Sequence, residues 1–183
     1  KLESIGKQLE FALELLDDTI SMVRGALSER AFKPSIVHLD QLCRVSAEEV
    51  GMSYGVRDQI QFENVAGITT AYVDEILLSR ILLNLLTNAI KYSPNQTPIT
   101  LQLDHQADDI ILRVIDRGIG ISPEYLPHIF EPFYRAPDVK EIGGAGLGLS
   151  IVKDCVTQHN GQISIISELG IGTTVTVRLF VKK

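Results

Sequence analysis

The sequence predicts a mixed α/β domain in which helices cover one sheet. Apolar residues alternate with polar ones over 99–105, 110–116, 162–167 and 173–181, which is the period of strands with one buried face. Residues 75–92 instead place their apolar residues at helical spacing. Because strand-like and helix-like segments alternate within one region, a layer of helices packed on a sheet is favoured.

Length and composition bound the class of protein. The 183 residues are 45% apolar and 22% charged, which suits one globular domain with an appendage and excludes a disordered chain. A formal net charge of −6 argues against general binding to nucleic acid. Cys43 and Cys155 lack the spacing of a zinc or redox site, so we expect buried thiols and a cytoplasmic location. Because the chain begins at Lys1, we expect it to be a fragment of a longer protein. Both a membrane-anchored and an unanchored full-length protein are compatible with this sequence.

Residues 1–30 have the pattern of a long amphipathic helix. Apolar residues three and four apart form its seam: Leu2, Ile5, Leu9, Ala12, Leu16, Ile20, Val23 and Leu27. Because a single helix cannot bury this seam, it either dimerises in a helical bundle or packs on its own domain. Residues 31–54 are expected to be a linker and a short helix, and residues 55–183 the main domain.

The elements at the start of the domain follow from local signals. A helix is expected over about 38–51, and strand-like runs follow at 59–65 and 68–72. Asp74 is the expected N-cap of the helix at 75–92, because its carboxylate can accept hydrogen bonds from the first backbone N–H groups.

A long irregular segment, 121–145, is expected to cover a site, and we call it the lid. Four prolines discourage regular structure there and two glycines close it. Loops of this length are often functional covers, and Ile129, Phe130 and Phe133 are the expected apolar anchors of this one. A further helix is predicted at 147–158.

Three polar residues share one face of the helix at 75–92. Asn84, Asn88 and Lys91 are four and three residues apart. A carboxamide oxygen is a suitable ligand for Mg²⁺, which keeps waters and phosphate oxygens in the rest of its shell. This face therefore suits a magnesium nucleotide. The alternative is that the asparagines only bond neighbouring backbone groups.

Asp116 ends a predicted strand and is followed by Gly118 and Gly120. An ionised carboxylate only accepts hydrogen bonds, so it suits the exocyclic amino group of adenine and disfavours the carbonyl oxygen of guanine. The glycines let the backbone approach a flat ligand closely. A plain Asp-Gly turn is the alternative.

A glycine-rich segment, 143–149, opens the next helix. Its unobstructed N–H groups and the positive end of the helix dipole suit phosphate oxygens, and a flexible hinge is the alternative. The sequence contains neither the Walker pattern G-x-x-x-x-G-K-[ST] nor the dinucleotide pattern G-x-G-x-x-G. A nucleotide site in this chain is therefore of another design.

Four motifs, in their order and spacing, resemble the N, G1, F and G2 boxes of sensor histidine kinases. They are Asn84-Leu-Leu-Thr-Asn88-Ala-Ile-Lys91-Tyr92-Ser-Pro, Asp116-Arg-Gly118-Ile-Gly120, Phe130-Glu-Pro-Phe133-Tyr-Arg135 and Gly144-Ala-Gly146-Leu-Gly148-Leu. The resemblance covers about 55–183 as a catalytic ATP-binding domain and, more weakly, 1–30 as the second helix of a dimerisation bundle. It implies a two-layer α/β sandwich with a mixed, mostly antiparallel sheet covered on one face by helices, as in the gyrase, heat-shock chaperone and mismatch-repair ATPases.

The resemblance also implies a site for ATP and Mg²⁺. Asn88 would ligate Mg²⁺, and Asp116 would bind the adenine amino group, which Thr173 joins through water. The residues implied around the nucleotide are Asn84, Asn88, Lys91, Tyr92, Asp116, Gly118, Gly120, Ile121, Gly144, Gly146, Leu147, Gly148 and Thr173. The expected catalytic residues are Asn84, Lys91 and Arg135, of which the last would reach the γ-phosphate from the lid.

The residue at position 84 bears on the reaction. Hydrolytic members of the resembling superfamily place a glutamate one helical turn before the magnesium-binding asparagine, and this chain has Asn84 there. A neutral carboxamide cannot take a proton from water, so we expect phosphoryl transfer to a protein acceptor. The resemblance implies transfer to a histidine, and then to the receiver domain of a response regulator, by a homodimer formed through the N-terminal helix. None of the four histidines has the family's acceptor setting, so the acceptor helix is expected to be missing from this chain.

Two other functions are compatible with these residues. An ATP-binding pseudokinase would only regulate, through its helix. A serine/threonine kinase of the anti-sigma type shares the fold, but the helix at 1–30 argues against it. Acid-labile phosphoprotein would distinguish a histidine kinase from this second alternative.

Overall fold

The computed structural model describes residues 32–93, 97–107, 109–139 and 142–180. The predicted helix at 1–30 and its dimerising role lie outside the described residues. The strands are β1 (Ser35–His38), β2 (Ile60–Asn64), β3 (Thr70–Val73), β4 (Ile99–Gln106), β5 (Asp109–Ile115), β6 (Gln162–Glu168) and β7 (Gly172–Phe180). The helices are α1 (Leu39–Ser53), α2 (Glu75–Tyr92) and α3 (Gly148–Gln158).

The main sheet has five strands in the order β2-β4-β5-β7-β6. The β2–β4 pair is parallel and the other neighbours are antiparallel, so the predicted mixed, mostly antiparallel sheet is confirmed. Leu101 pairs with Val114, Leu103 pairs with Leu112, and all four side chains are buried. One face of the sheet therefore carries the apolar core on which the helices pack.

Helix α2 is the central element of the helical layer. Asp74 caps it as predicted, because its Oδ1 accepts hydrogen bonds from the N–H groups of Ile76 (3.1 Å) and Leu77 (3.2 Å). Its buried residues recur at helical spacing: Leu77, Leu78, Ile81, Leu82, Leu85, Leu86 and Ala89. This apolar stripe fixes the rotation of α2, and the rotation determines where its polar face points.

The segment between 35 and 53 belongs to the packed core. Strand β1 pairs with β3 in a separate two-stranded sheet, and Leu39 and Cys43 of α1 are completely buried. The sequence predicts a linker and a short helix in this region. Strand β1 was not predicted because it has only four residues. Val37 alone is buried among them, so apolar and polar residues show no alternation that would indicate a strand.

The described part of the lid contains no strand or α-helix, as expected, and its only regular element is a 3₁₀ turn at Pro137–Val139. Ile129 and Phe130 are partly buried. The prediction of Phe133 as a third apolar anchor is wrong, because its side chain is 59% exposed. Its backbone has φ of +64°, and this left-handed conformation accompanies the outward position of the ring.

The two cysteines are both buried and unpaired, as predicted. Burial raises the pKa of the Cys43 thiol to about 12 and that of Cys155 to about 11, so neither is a reactive thiolate. No helix among the described residues is both long and apolar enough to cross a lipid bilayer.

Candidate functional site

Two adjoining cavities open beside the C-terminal half of α2. Of the predicted site residues, the cavity on the sheet side is lined by Asn88, Tyr92, Asp116, Gly120, Ile121, Arg135 and Thr173. The cavity on the lid side is lined by Asn84, Asn88, Lys91, Tyr92, Arg135, Gly144, Gly146 and Gly148. Asn88 and Asp116 therefore face one continuous space. Gly118 and Leu147 line neither cavity, and the Leu147 side chain is completely buried in the protein.

Asp116 is held at the sheet-side end by backbone N–H groups. Its Oδ1 accepts hydrogen bonds from Gly118 N at 2.8 Å and from Thr173 N at 3.2 Å. Within the described residues, Oδ2 has no hydrogen-bond partner, so it is available to a ligand. Burial raises the pKa of Asp116 above its ordinary value, and the two backbone hydrogen bonds oppose this shift.

Gly120 seals the same end against the β6–β7 turn. It has φ of +69°, and a Cβ at this position would overlap the carbonyl of Glu168. The neighbouring Ile119 carbonyl accepts a hydrogen bond of 2.7 Å from Gly170 N. Both the backbone conformation and the close approach therefore require glycine here.

The polar face of α2 forms the floor between the cavities. Asn84 Nδ2 donates to the Arg80 carbonyl at 2.9 Å, which leaves its Oδ1 directed at Gly148. A Cβ at Gly148 would lie 3.1 Å from Asn84 Oδ1 and within 3.6 Å of the Asn88 amide. A Cβ at Gly144 would lie 3.9 Å from Lys91 Nζ. The glycine-rich turn thus approaches all three predicted polar residues.

The residues of the site fit a magnesium ion that arrives with phosphate. The described residues contain no group of three or more His, Cys, Asp or Glu side chains that could hold a metal ion alone. Asn88 supplies a neutral carboxamide oxygen on the cavity wall. Mg²⁺ often takes few protein ligands and completes its shell with waters and phosphate oxygens, so a single carboxamide is compatible with it.

Backbone contacts hold the lid against the glycine-rich turn. Phe133 N donates to the Gly146 carbonyl at 3.0 Å, and Gly146 has φ of +74° with no room for a side chain beside the Tyr134 carbonyl. Arg135 Nη2 donates to the carbonyls of Val139, at 2.8 Å, and Ile142. Its guanidinium is therefore engaged with the lid itself.

A cation–π contact also joins the lid to α3. The Lys153 ammonium lies 5.7 Å from the centre of the Phe130 ring. The contact spans the lid and the helix that follows the glycine-rich turn, so it restrains the lid from outside the cavities.

Sequence reasoning missed several residues of the sheet-side cavity. They are contributed by the lid and by the β6–β7 pair: Tyr125, Tyr134, Asp138, Ile165 and Leu169. It also missed Ser167, whose hydroxyl lies 2.9 Å from the Thr173 hydroxyl. The register of the β6–β7 hairpin places Ser167 opposite Thr173, and this pairing is the signal that could have identified it.

A five-stranded mixed sheet covered by helices, with an acidic strand end and an asparagine-bearing helix facing one cleft, defines an α/β sandwich domain of the ATPase type. Residues 73–183 match the family described as histidine kinase-, DNA gyrase B- and HSP90-like ATPase, and the chain belongs to this family.

Curated relatives of the chain are sensor histidine kinases. The chain is 33% identical over 171 residues to the sensor-like histidine kinase SenX3 of Mycolicibacterium smegmatis, an alignment of 91% of this chain and 44% of SenX3. It is 36% identical over 161 residues to the autoinducer 2 sensor kinase/phosphatase LuxQ of Vibrio cholerae, which covers 83% of this chain and 18% of LuxQ. The chain thus spans less than half the length of these relatives.

Solved structures agree with this assignment. Full-length ShkA, crystallised in complex with AMPPNP, superposes with a TM-score of 0.78 at 25% identity over 94% of this chain and 36% of ShkA. The mycobacterial sensor histidine kinase MprB gives a TM-score of 0.69 at 29% identity over 80% of this chain and 97% of that structure.

Proposed function

We propose that this chain is the ATP-binding catalytic region of a sensor histidine kinase, which transfers the γ-phosphoryl group of ATP to a histidine on a segment absent from the chain. The observation that carries the proposal is the meeting of Asn88 and Asp116 at one cleft. The histidine kinase relatives and the family match support the same function.

Adenine is proposed to bind at the sheet-side end. Asp116 Oδ2 accepts a hydrogen bond from the exocyclic amino group, while Oδ1 remains bonded to the backbone. Tyr92 and Ile121 lie on the walls of the same cavity, beside the nucleoside. Guanine would present a carbonyl oxygen to the carboxylate, so ATP is preferred.

The phosphates are proposed to lie at the lid-side end. Asn88 would hold Mg²⁺, and the bound ion would supply charge neutralisation at the phosphate oxygens. Lys91 and the turn through Gly144, Gly146 and Gly148 face the phosphates. Arg135 reaches the γ-phosphate only if it exchanges its lid carbonyl partners for phosphate oxygens.

Slow hydrolysis is part of the proposal. Asn84 occupies the position from which a carboxylate would activate water, and its amide already donates to the Arg80 carbonyl. A carboxamide has no basic site for the proton of water. Catalysis therefore depends on positioning and charge stabilisation, and the phosphoryl group passes to a protein acceptor.

The wider system is proposed by analogy with the named relatives. After transfer to histidine, the phosphoryl group passes to an aspartate in the receiver domain of a response regulator. A homodimer formed through residues 1–30 brings the acceptor helix and this region together. Because the reaction consumes ATP, we place this region in the cytoplasm.

Calorimetric titration with Mg-ATP tests the binding step. Asn88→Ala is expected to abolish magnesium-dependent ATP binding while the fold is retained, because the carboxamide ligand is lost. Ser79→Ala, on the N-terminal half of the same helix, is the matched control and keeps normal binding. Unchanged affinity in Asn88→Ala refutes the metal assignment, and competition by GTP equal to that by ATP refutes the adenine assignment.

Phosphoryl transfer to a separately supplied helical bundle bearing a histidine tests the reaction. We expect acid-labile phosphoprotein that forms only with this chain and Mg-ATP. ATP binding without transfer favours a regulatory pseudokinase, and acid-stable phosphoprotein favours a serine/threonine kinase.

A further inference from the structure

Ser167 connects two walls of the sheet-side cavity. Its Oγ accepts a hydrogen bond of 2.8 Å from the N–H of Ile121, where the lid begins. The same Oγ lies 3.1 Å from the Gly172 carbonyl and 2.9 Å from Thr173 Oγ1. Ile121 and Thr173 line the cavity and Ser167 does not, so it acts on a ligand only through them.

The single hydroxyl hydrogen of Ser167 has two acceptors within reach. If it bonds the Gly172 carbonyl, Thr173 donates to Ser167 and presents only lone pairs to the cavity. If it bonds Thr173 Oγ1, the hydrogen of Thr173 is released towards the cavity. The two arrangements differ only in hydroxyl hydrogens, and the heavy atoms stay where they are.

Three backbone donors near Asp116 are already used. The N–H groups of Gly118 and Thr173 both bond Asp116 Oδ1, and the N–H of Ile121 bonds Ser167. Adenine presents an amino donor and, next to it, the acceptor nitrogen N1. An ionised Asp116 satisfies the amino group but cannot donate to N1. The side chain of Thr173 can supply that hydrogen.

We propose that Ser167 is a positioning residue for purine recognition, because its hydroxyl bonds Thr173 and so directs the Thr173 hydroxyl to donate to N1 of adenine, directly or through one water. The inference rests on the proposed binding of ATP. The resemblance already implies that Asp116 and Thr173 contact adenine, and the inference adds Ser167 as the residue that orients the Thr173 hydroxyl. A purine with a hydrogen on N1, such as guanine, is then disfavoured at both positions.

The test compares ATP with 1-deaza-ATP, in which N1 is replaced by a C–H group. Ser167→Ala is expected to weaken ATP binding about five- to tenfold, the value of one lost neutral hydrogen bond, and to change 1-deaza-ATP binding less than about twofold. Ser164→Ala is the matched control, because Ser164 is on the same strand but exposed on the opposite face of the sheet. It should leave both affinities unchanged.

A merely structural role would give a different pattern. Ser167→Ala would then weaken ATP and 1-deaza-ATP equally, and this result overturns the inference. So does unchanged ATP affinity in a folded Ser167→Ala protein. In a Thr173→Val background, Ser167→Ala should cost no further ATP affinity, because the residue it positions is already missing.

Thr173→Val alone tests the inference even if Ser167→Ala does not fold. This nearly isosteric variant should bind ATP and 1-deaza-ATP equally, and a retained preference for ATP overturns the inference. Failure of the unmodified chain to bind either nucleotide would instead remove the proposed function, and the inference with it. The two failures are therefore distinguishable.

Discussion

The two ends of the cleft are held by different kinds of contact. At the sheet-side end, Asp116 and Thr173 exchange backbone hydrogen bonds of 2.9 and 3.3 Å. The Asp116 carboxylate also accepts from Gly118 N and from the same Thr173 N–H group. At the lid-side end, the walls are turns, a glycine-rich segment and an arginine bonded to lid carbonyls. The first end is anchored in the five-stranded sheet, whereas the lid and the glycine-rich turn at the second end are bonded mainly to each other.

In the proposed function, this difference separates recognition of the base from phosphoryl transfer. The sheet-side end can bind a base without rearrangement, because its acceptor is already fixed and has an unused oxygen. The lid-side end must change before Arg135 can contact a phosphate. Elements with few buried contacts are the ones that move in binding, so the lid, not the base end, is expected to close.

The largest expected effect on the free energy of unfolding comes from a substitution that disrupts the packing of the sheet-side end. Gly120→Ala should lower the free energy of unfolding by about 3 kcal/mol, because it adds both a positive-φ cost and an overlap with the Glu168 carbonyl. Gly170→Ala is the matched control: φ there is +78°, but a Cβ meets nothing within 4 Å. It should cost only about 1 kcal/mol. Equal losses in urea unfolding would contradict the proposed close packing of this end.

A second prediction concerns the charge of Asp116. Asp116→Asn should weaken ATP binding by about 1–3 kcal/mol at neutral pH, because a buried acceptor is replaced by a group that can also donate. The ionised carboxylate is the form that accepts from adenine. ATP affinity should therefore fall as the pH falls through the raised pKa of this group.

The pH dependence of folding stability has the opposite sign to the pH dependence of ATP binding. Since the folded state raises the pKa of Asp116, the unfolded chain loses this proton more readily, and stability falls as pH rises between the ordinary and the raised value. Asp116→Asn should lack both pH dependences, as measured by calorimetry and thermal unfolding. Asp154→Asn, exposed on α3, is the control and should retain both. A pH profile of binding in Asp116→Asn identical to that of the unmodified chain would rule out this titration.

The smallest expected effect lies at the lid. Lys153→Met keeps the aliphatic stem but removes the cation over Phe130, and it should cost about 0.5–1 kcal/mol of stability. Hydrogen exchange of the lid amides should become faster, while exchange in β5 and β7 should not change. Lys153→Arg keeps a cation and should behave as the unmodified chain. Faster exchange in the strands as well would mean that lid and sheet open together.

Sequence patterns correctly predicted the helices and strands whose signals lie within a few neighbouring residues. Helix α2 and its cap at Asp74 were read correctly, because the apolar spacing and the capping carboxylate are both encoded within a few residues. The strands β4, β5, β6 and β7 were predicted for the same reason, and the structure pairs them as two antiparallel hairpins. By contrast, β1 was missed, since a four-residue strand has no period of its own and is defined by its partner β3.

The same distinction applies to the candidate site. The polar face of α2 and the acidic end of β5 were each predicted from a sequence motif. Neither motif predicts that Asn88 and Asp116, which are 28 positions apart, line the same cavity. Ser167 carried no motif of its own in the sequence analysis, because its importance comes from three partners in the lid and the β6–β7 hairpin. Phe133 was predicted to be an apolar anchor of the lid because it is hydrophobic, whereas its backbone conformation accompanies an exposed ring.

By itself, the sequence determined the fold class, the family resemblance and the chemical types of the site residues, because periodicity, capping and motif spacing act over short stretches of chain. Only the tertiary structure decided which groups share a cavity, which oxygen of Asp116 stays available, and which hydroxyl aligns Thr173. These depend on strand register and helix rotation, and both are set by packing of the whole core.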